Sequence, residues 1–202
     1  MTHPRRRVTL ALLAVCLGLG VSGCVNMAVG TGSVLGVVAA QERTIGSAVD
    51  DTAIKIEINH LLFQKSESLF AKVGIDVVEG RVLLTGSVRE SVQRIEVARL
   101  AWRANGVGEV LNEIQVAEKG GIATYLHDKR IGVQLRFKIL ADRDIRDINY
   151  TIESVNGVIY LLGIAQSQRE LDKVANHART IKGAVKVISH VRLKGDPRRR
   201  PS

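Results

Sequence analysis

The chain has 202 residues, a formal net charge of +9, 46% apolar residues, only 3% aromatic residues and two cysteines. That length suits one ordinary domain or two small ones, and two cysteines cannot build a disulfide framework. The scarcity of rings argues against a stacking platform for single-stranded nucleic acid, while the basic balance asks for an anionic partner.

The chain begins with Arg5, Arg6 and Arg7, followed by an apolar run over residues 8–20 and then Val21-Ser22-Gly23-Cys24. The run is too short to cross a bilayer, which needs about 20 apolar residues. A basic start, a short apolar core and small residues before a break describe an export signal that is removed, here over residues 1–23. An exported protein does not meet nucleic acid, so none is expected as a partner. The tetrapeptide resembles a bacterial lipobox, which implies that Cys24 becomes the first mature residue and carries an N-acyl diglyceride. No other cofactor is expected. Cys16 leaves with the leader, and removing its three arginines from the +9 leaves +6 for the remaining 179 residues.

Residues 24–48 are expected to form a tether, because residues 25–40 are uncharged and their glycines disfavour a regular helix. The basic tail, residues 195–202, holds two prolines and three arginines and is expected to be disordered. Between tether and tail lies an internal repeat: at a shift of 77, residues 51–116 overlay residues 128–193 without a gap. Ile54 meets Ile131, Gly80 meets Gly157, Leu84 meets Leu161, Gly86 meets Gly163, Val97 meets Val174, and Gly106 meets Gly183. Two copies make a tandem of domains, here 49–117 and 127–194 joined by a linker over 118–126.

Each copy reads as helix, strand, strand, helix, strand. The fold class is α+β, each copy an αββαβ unit with a three-stranded sheet packed on two helices. Asp50-Asp51 reads as the cap of the first helix. In the second copy Ile131, Leu135 and Ile139 recur every fourth residue and mark a helix face. Asn156-Gly157 between apolar runs is a strong hairpin signal, because both turn positions need positive φ. Glu79-Gly80 does the same in the first copy, and Gly86 and Gly163 are expected to end the second strands. Ser167 and Glu170 have capping-box spacing, and Gly183 stops the helix that follows. In the first copy Val97, Ala98, Ala101 and Ala104 form the second helix face, and Val110, Asn112, Ile114 and Val116 form one last strand. Cores this small need mutual support through an interface.

No catalytic set stands out, and an enzyme is not expected. His60, His127, His177 and His190 lack His-x-x-x-His spacing and a cysteine partner, so no metal site is expected. Asp142, Asp144 and Asp147 alternate with Arg143 and Arg146 and read as a solvated, self-paired loop. The helix over residues 128–140 carries a second apolar arc, Val133, Phe137 and Leu140, flanked by Lys129, Arg130 and Arg136. A small-domain helix needs only one such stripe. A second stripe with a basic rim suits the headgroup boundary of an anionic phospholipid membrane. The outer arc of the first helix, with Ile56, His60 and Phe63, has no such rim and is assigned to domain packing. The alternative is that both stripes pack on the other domain or on the tether. Trp102 is expected at a rim or in packing.

The unit Val78-Glu79-Gly80-Arg81-Val82-Leu83-Leu84-Thr85-Gly86, with Gly106-Val107-Gly108-Glu109-Val110-Leu111-Asn112, resembles a BON domain. The second copy shows the same pattern in Val155-Asn156-Gly157-Val158-Ile159-Tyr160-Leu161-Leu162-Gly163 and Gly183-Ala184-Val185-Lys186-Val187. Two such units behind a lipobox resemble the dual-BON-domain outer-membrane lipoproteins of Gram-negative bacteria, whose lipid-binding subgroup is associated with division and outer-membrane stress. The resemblance implies a non-catalytic lipoprotein, palmitoylated at Cys24, facing the periplasm and supporting envelope integrity. Val25, where an Asp would favour inner-membrane retention, implies the outer membrane. Relatives in the lipid-binding subgroup use the first helix of the second domain and place an aromatic near its start. Here Arg130 stands there, and Phe137 is expected to supply the wedge. The alternative function is a protein-interaction adapter docking on outer-membrane assembly proteins; a third is an enzyme or ion-binding module, since other BON proteins bind potassium.

Overall fold

Ile54, Ile58 and Leu62 recur at four-residue spacing, and the helix they define, α1 (Ile45–Lys65), turns all three inward. In the computed structural model the described residues are 41–117 and 122–199, and they lie in one compact unit, Val38–Ser202. The leader, Cys24, the tether up to residue 40 and the linker residues 118–121 lie outside the described residues. The helix starts earlier than Asp50-Asp51 suggests: Thr44 is the N-cap, its hydroxyl accepting from the Ser47 amide at 3.1 Å. Ser66 then leaves helical geometry and caps a four-residue helix, α2 (Glu67–Phe70).

Strands β1 (Val73–Val78) and β2 (Arg81–Val88) pair antiparallel around Glu79-Gly80, whose φ values of 53° and 69° give the left-handed turn that matches strand twist. Helix α3 (Ser91–Ala101) returns the chain to β3 (Glu109–Asn112) and β4 (Gln115–Val116), both parallel to β2. The single last strand expected here is interrupted. The Asn112 carboxamide oxygen accepts from the Ile114 amide at 3.3 Å, a side-chain bond that competes with the ladder. The register to β2 is nevertheless kept across the break.

The second copy repeats the plan. Helix α4 (Ile122–Ala141) begins inside the segment expected as linker, so residues 122–126 are helical. A 3-10 turn, Asp147–Asn149, leads into β5 (Tyr150–Val155) and β6 (Val158–Ala165), joined at Asn156-Gly157 with φ of 49° and 76°. Helix α5 (Gln168–Arg179) is capped by Ser167, which accepts from the Glu170 amide at 3.2 Å. Strand β7 (Lys186–Leu193) lies parallel to β6. Gly86 and Gly163 do not end their strands. They sit inside β2 and β6 where a carbonyl of the preceding segment, Lys72 or Asn149, comes against the space a Cβ would fill.

Alternation along the strands decides how the copies meet. Val82 and Leu84 face α1 and α3, while Ile159 and Leu161 face α4 and α5. The intervening Leu83 joins Val78, Tyr160, Leu162 and Ile164 in a third apolar cluster. The two sheets therefore pack face to face, and the helices form the outer layers of a four-layer molecule. Polar ties close the seam. Gln115 donates to the Val155 carbonyl at 3.0 Å and to the Tyr160 hydroxyl at 3.1 Å, and Arg81 donates to the His190 carbonyl at 2.8 Å.

Segments on either side of the two domains, residues 41–43 and 194–199, clasp this seam. Gln41 donates to the Ile148 carbonyl at 3.2 Å, and the Glu42 amide donates to the Asn149 side chain at 2.9 Å. The Glu42 carboxylate pairs with Lys194 at 2.9 Å and Arg146 at 3.2 Å, and Arg43 pairs with Asp51 at 2.9 Å. The tail differs from the expectation of disorder as far as Arg199. Glu79 at the first hairpin is almost fully buried and needs a counter-ion, and Arg199 supplies it at 2.6 Å while donating to the Lys194 and Glu42 carbonyls.

Candidate membrane-binding surface

The candidate surface is the outward side of α4. Its inward stripe, Ile131, Leu135 and Ile139, is fully buried, whereas Val133, Phe137 and Leu140 are 54%, 68% and 60% exposed. Neither the other domain nor any other described residue covers the second stripe. The helix also carries exposed Tyr125 and Leu126 two turns earlier, ahead of the expected helix start at residue 128. Leu126, Val133 and Leu140 then repeat every seven residues along one face. Tyr125 places an exposed aromatic near the helix start after all, and the Lys129 ammonium lies 5.5 Å from its ring centroid.

The flanking cations divide into two kinds. Lys129 and Arg130 are exposed, and Arg130 makes no hydrogen bond or ion pair among the described residues. Arg136 is a different case. Its guanidinium turns back and donates to the carbonyls of Asp147 at 3.3 Å and Tyr150 at 3.0 Å, so it braces α4 against the start of β5 instead of rimming the stripe. Lys138, exposed one turn from the helix end, donates to the Thr180 hydroxyl at 2.9 Å.

Asp128 fixes the azimuth of α4. It is 8% exposed, and its carboxylate accepts from the Asn156 and Gly157 amides, both at 2.8 Å. Asp51 does the same in the first copy, accepting from Glu79 at 2.9 Å and Gly80 at 2.8 Å. Asp51 thus clamps the hairpin and does not cap its helix. The superposition of the two aspartates at a shift of 77 was the available signal.

The first-domain stripe does not serve domain packing. Ile56, His60 and Phe63 are all exposed, and the Phe63 ring meets that of Phe70 edge-on at 5.5 Å. The docking surface is the sheet, which leaves the outer helix faces free. On α3, Val92 and Ile95 are exposed, as is Trp102 just beyond its end, at 55%.

The acidic run at residues 142–147 pairs outward, not with its own arginines. Asp142 meets His177 at 3.0 Å and Lys173 at 3.3 Å, and Asp144 meets Lys173 at 2.6 Å. The His177 contact and the Asp144 amide hold the Asp142 carboxyl down at about 2. Glu153, half-buried on β5, is held above the usual carboxylate range by burial and by Asp76 across the seam. Among the described residues no group of three His, Cys, Asp or Glu side chains is placed to hold a metal ion, and no helix is long and apolar enough to cross a membrane.

The BON domain family model matches residues 50–118 and 127–195. An uncharacterized protein in the gshII 5′ region of Anaplasma centrale is 42% identical over 153 residues, covering 75% of this chain and all of that protein. Outer membrane lipoprotein DolP of Haemophilus influenzae is 33% identical over 184 residues, covering 89% of this chain and 94% of its own. Osmotically-inducible protein Y of Escherichia coli is 25% identical over 201 residues, covering 96% of this chain and 100% of that one.

Proposed function

The chain belongs to the BON-domain family, in its dual-domain lipoprotein branch, and from that premise we propose that it is a non-catalytic outer-membrane lipoprotein whose second domain binds anionic phospholipid through the outer face of α4. The observation that carries this reading is the uncovered stripe Val133, Phe137 and Leu140 beside the exposed cations Lys129 and Arg130. Apolar side chains of such a face enter the headgroup boundary while the cations meet phosphate. An acylated Cys24 holds the surface near a bilayer, so a weak contact acts at high effective concentration. The described chain begins at Gln41, which is bonded to Ile148; the residues around it, Asp147 and Tyr150, hold Arg136 of α4. The name of the Haemophilus relative, an outer membrane lipoprotein, supports the location.

A soluble form beginning at Gln41 is expected to bind phosphatidylglycerol vesicles, and binding is expected to fall with added salt. Full burial of a Phe side chain is worth about 1.5–3 kcal/mol. With 68% of Phe137 available for transfer, Phe137→Ala should weaken partitioning about 5- to 30-fold while leaving the melting temperature nearly unchanged. Arg130→Glu should weaken it as well. Pelleting that ignores salt, or no pelleting at all, removes the reading.

The adapter reading has one observation in its favour. The four-layer arrangement turns Val92, Ile95 and Trp102 to the side opposite α4, where a protein of the outer-membrane assembly machinery can meet them. Photocrosslinking in cells from positions 102 and 137 separates the two: a discrete protein adduct at 137, with no lipid adduct there, favours the adapter.

A further inference from the structure

Four arginines from three parts of the fold converge on a groove of about 430 Å³ at the far end of the first hairpin. Arg81 opens β2 in the first domain, Arg192 lies on β7 in the second, and Arg198 and Arg199 come from the tail. Glu79, Glu109, Gly108 and Pro197 complete the lining. The charges do not balance. Arg199 is matched by Glu79 at 2.6 Å and Arg198 by Asp196 at 2.7 Å. The other two guanidiniums share one carboxylate, and indeed one oxygen: Arg81 Nε and Arg192 Nη2 donate to Glu109 Oε2 at 2.7 and 2.8 Å. One positive charge is left over, held by side chains that are only 7% and 14% exposed.

The donors are also unfilled. Arg81 bonds through Nε and Nη1, and its Nη2 makes no hydrogen bond among the described residues. Arg192 Nε is buried without an acceptor among the described residues. Burial and the neighbouring Arg81 lower the Arg192 guanidinium below its ordinary range, the direction expected for a cation short of counter-charge. Such groups rarely go unpaired inside a protein. Planar guanidinium forks, unlike ammonium groups, match the tetrahedral oxygens of phosphate two at a time.

We propose that this groove binds a small oxyanion of the phosphate type, bridging Arg81 of the first domain and Arg192 of the second, with Arg198 closing over it. The surplus charge selects an anion, and the unfilled N–H groups select one with several acceptor oxygens. Occupancy would tie the two domains and the tail together at one point. The site is separate from the α4 surface and stands or falls independently of lipid binding there.

The test is thermal unfolding of the full-length chain at pH 7 in sodium phosphate against sodium chloride of equal ionic strength, with calorimetric titration of inorganic phosphate. Phosphate should raise the melting temperature beyond the chloride control and saturate. Arg192→Gln and Arg198→Gln should each lose at least tenfold in phosphate affinity. Arg198 is largely exposed and pairs only with Asp196, so its variant should melt normally in chloride and keep the test readable. Flotation with phosphatidic acid vesicles, in the Phe137→Ala background to weaken the α4 contact, separates the sources. Loss of vesicle binding in Arg198→Gln identifies a lipid headgroup, and retained vesicle binding with lost phosphate affinity identifies the free ion. A melting temperature no higher than in matched chloride, or a phosphate increment kept in both arginine variants, overturns the proposal.

Discussion

Asp128→Ala is the sharpest probe of how the second domain holds its outer helix. The substitution removes two charge-assisted bonds of 2.8 Å to the Asn156 and Gly157 amides. A hydrogen bond to a charged group is worth about 1.5–3 kcal/mol. Two would set an upper figure of about 6 kcal/mol, but the turn is only half enclosed, with Gly157 buried and Asn156 partly open to water. Water rescues the more open amide, leaving an expected loss of about 2–4 kcal/mol. In a protein of this size that corresponds to roughly 5–15 °C in melting temperature. Asp128→Asn keeps one acceptor and should lose about half as much. The assay is urea unfolding followed by circular dichroism, with Asp51→Ala run in parallel as the matching site in the first domain. A loss under about 1 kcal/mol for Asp128→Ala would refute the claim that this carboxylate clamps helix to hairpin.

Other perturbations have equally definite outcomes. Gly163→Ala places a methyl group against the Asn149 carbonyl at a φ of 151° and should cost about 1–3 kcal/mol in the same unfolding assay. Glu79→Gln leaves Arg199 charged and largely buried without its counter-ion, so it should cost about 3 kcal/mol and expose the tail to trypsin at Arg198 and Arg199. The bond to Lys194 is the largest factor lowering Glu42 below the ordinary value of 4.5. A depressed carboxylate stabilises the fold above its unfolded value and loses that contribution as pH falls through its folded one. Amide protection factors in residues 41–43, taken relative to intrinsic exchange at each pH, should therefore be high at pH 7 and fall below about pH 4.5, ahead of global unfolding.

What could be read from the chain without coordinates was whatever is local or periodic. Asn156-Gly157 announced its hairpin because only left-handed φ fits there, and Ile131, Leu135 and Ile139 announced their helix through spacing alone. The repeat carried both readings into the first copy. The start of α4 was missed because residues 122–126 contain neither a strong cap nor a breaker. Arg136 was placed on the rim by angle alone, yet its long side chain reaches carbonyls 11 and 14 residues away. Arg199 finds Glu79 across 120 residues, which no local pattern can announce. The assignment of the α1 stripe to domain packing failed for a more instructive reason. Amphipathicity says that a face is apolar, not what covers it. The true interface was written in β2 and β6, where Val82-Leu83-Leu84 and Ile159-Tyr160-Leu161-Leu162 run apolar without alternation, the mark of a strand covered on both sides.

That doubly covered pair of strands makes the ancestral duplication hard to reverse. A lone copy would leave Leu83 and Val78, or Tyr160, Leu162 and Ile164, on an open sheet in water. A gene shortened to either half would encode a sticky fragment prone to pairing with itself. Substitutions on the outer face of α3 leave this interface untouched, but selection must keep both halves in one chain for as long as their inner strands remain this greasy.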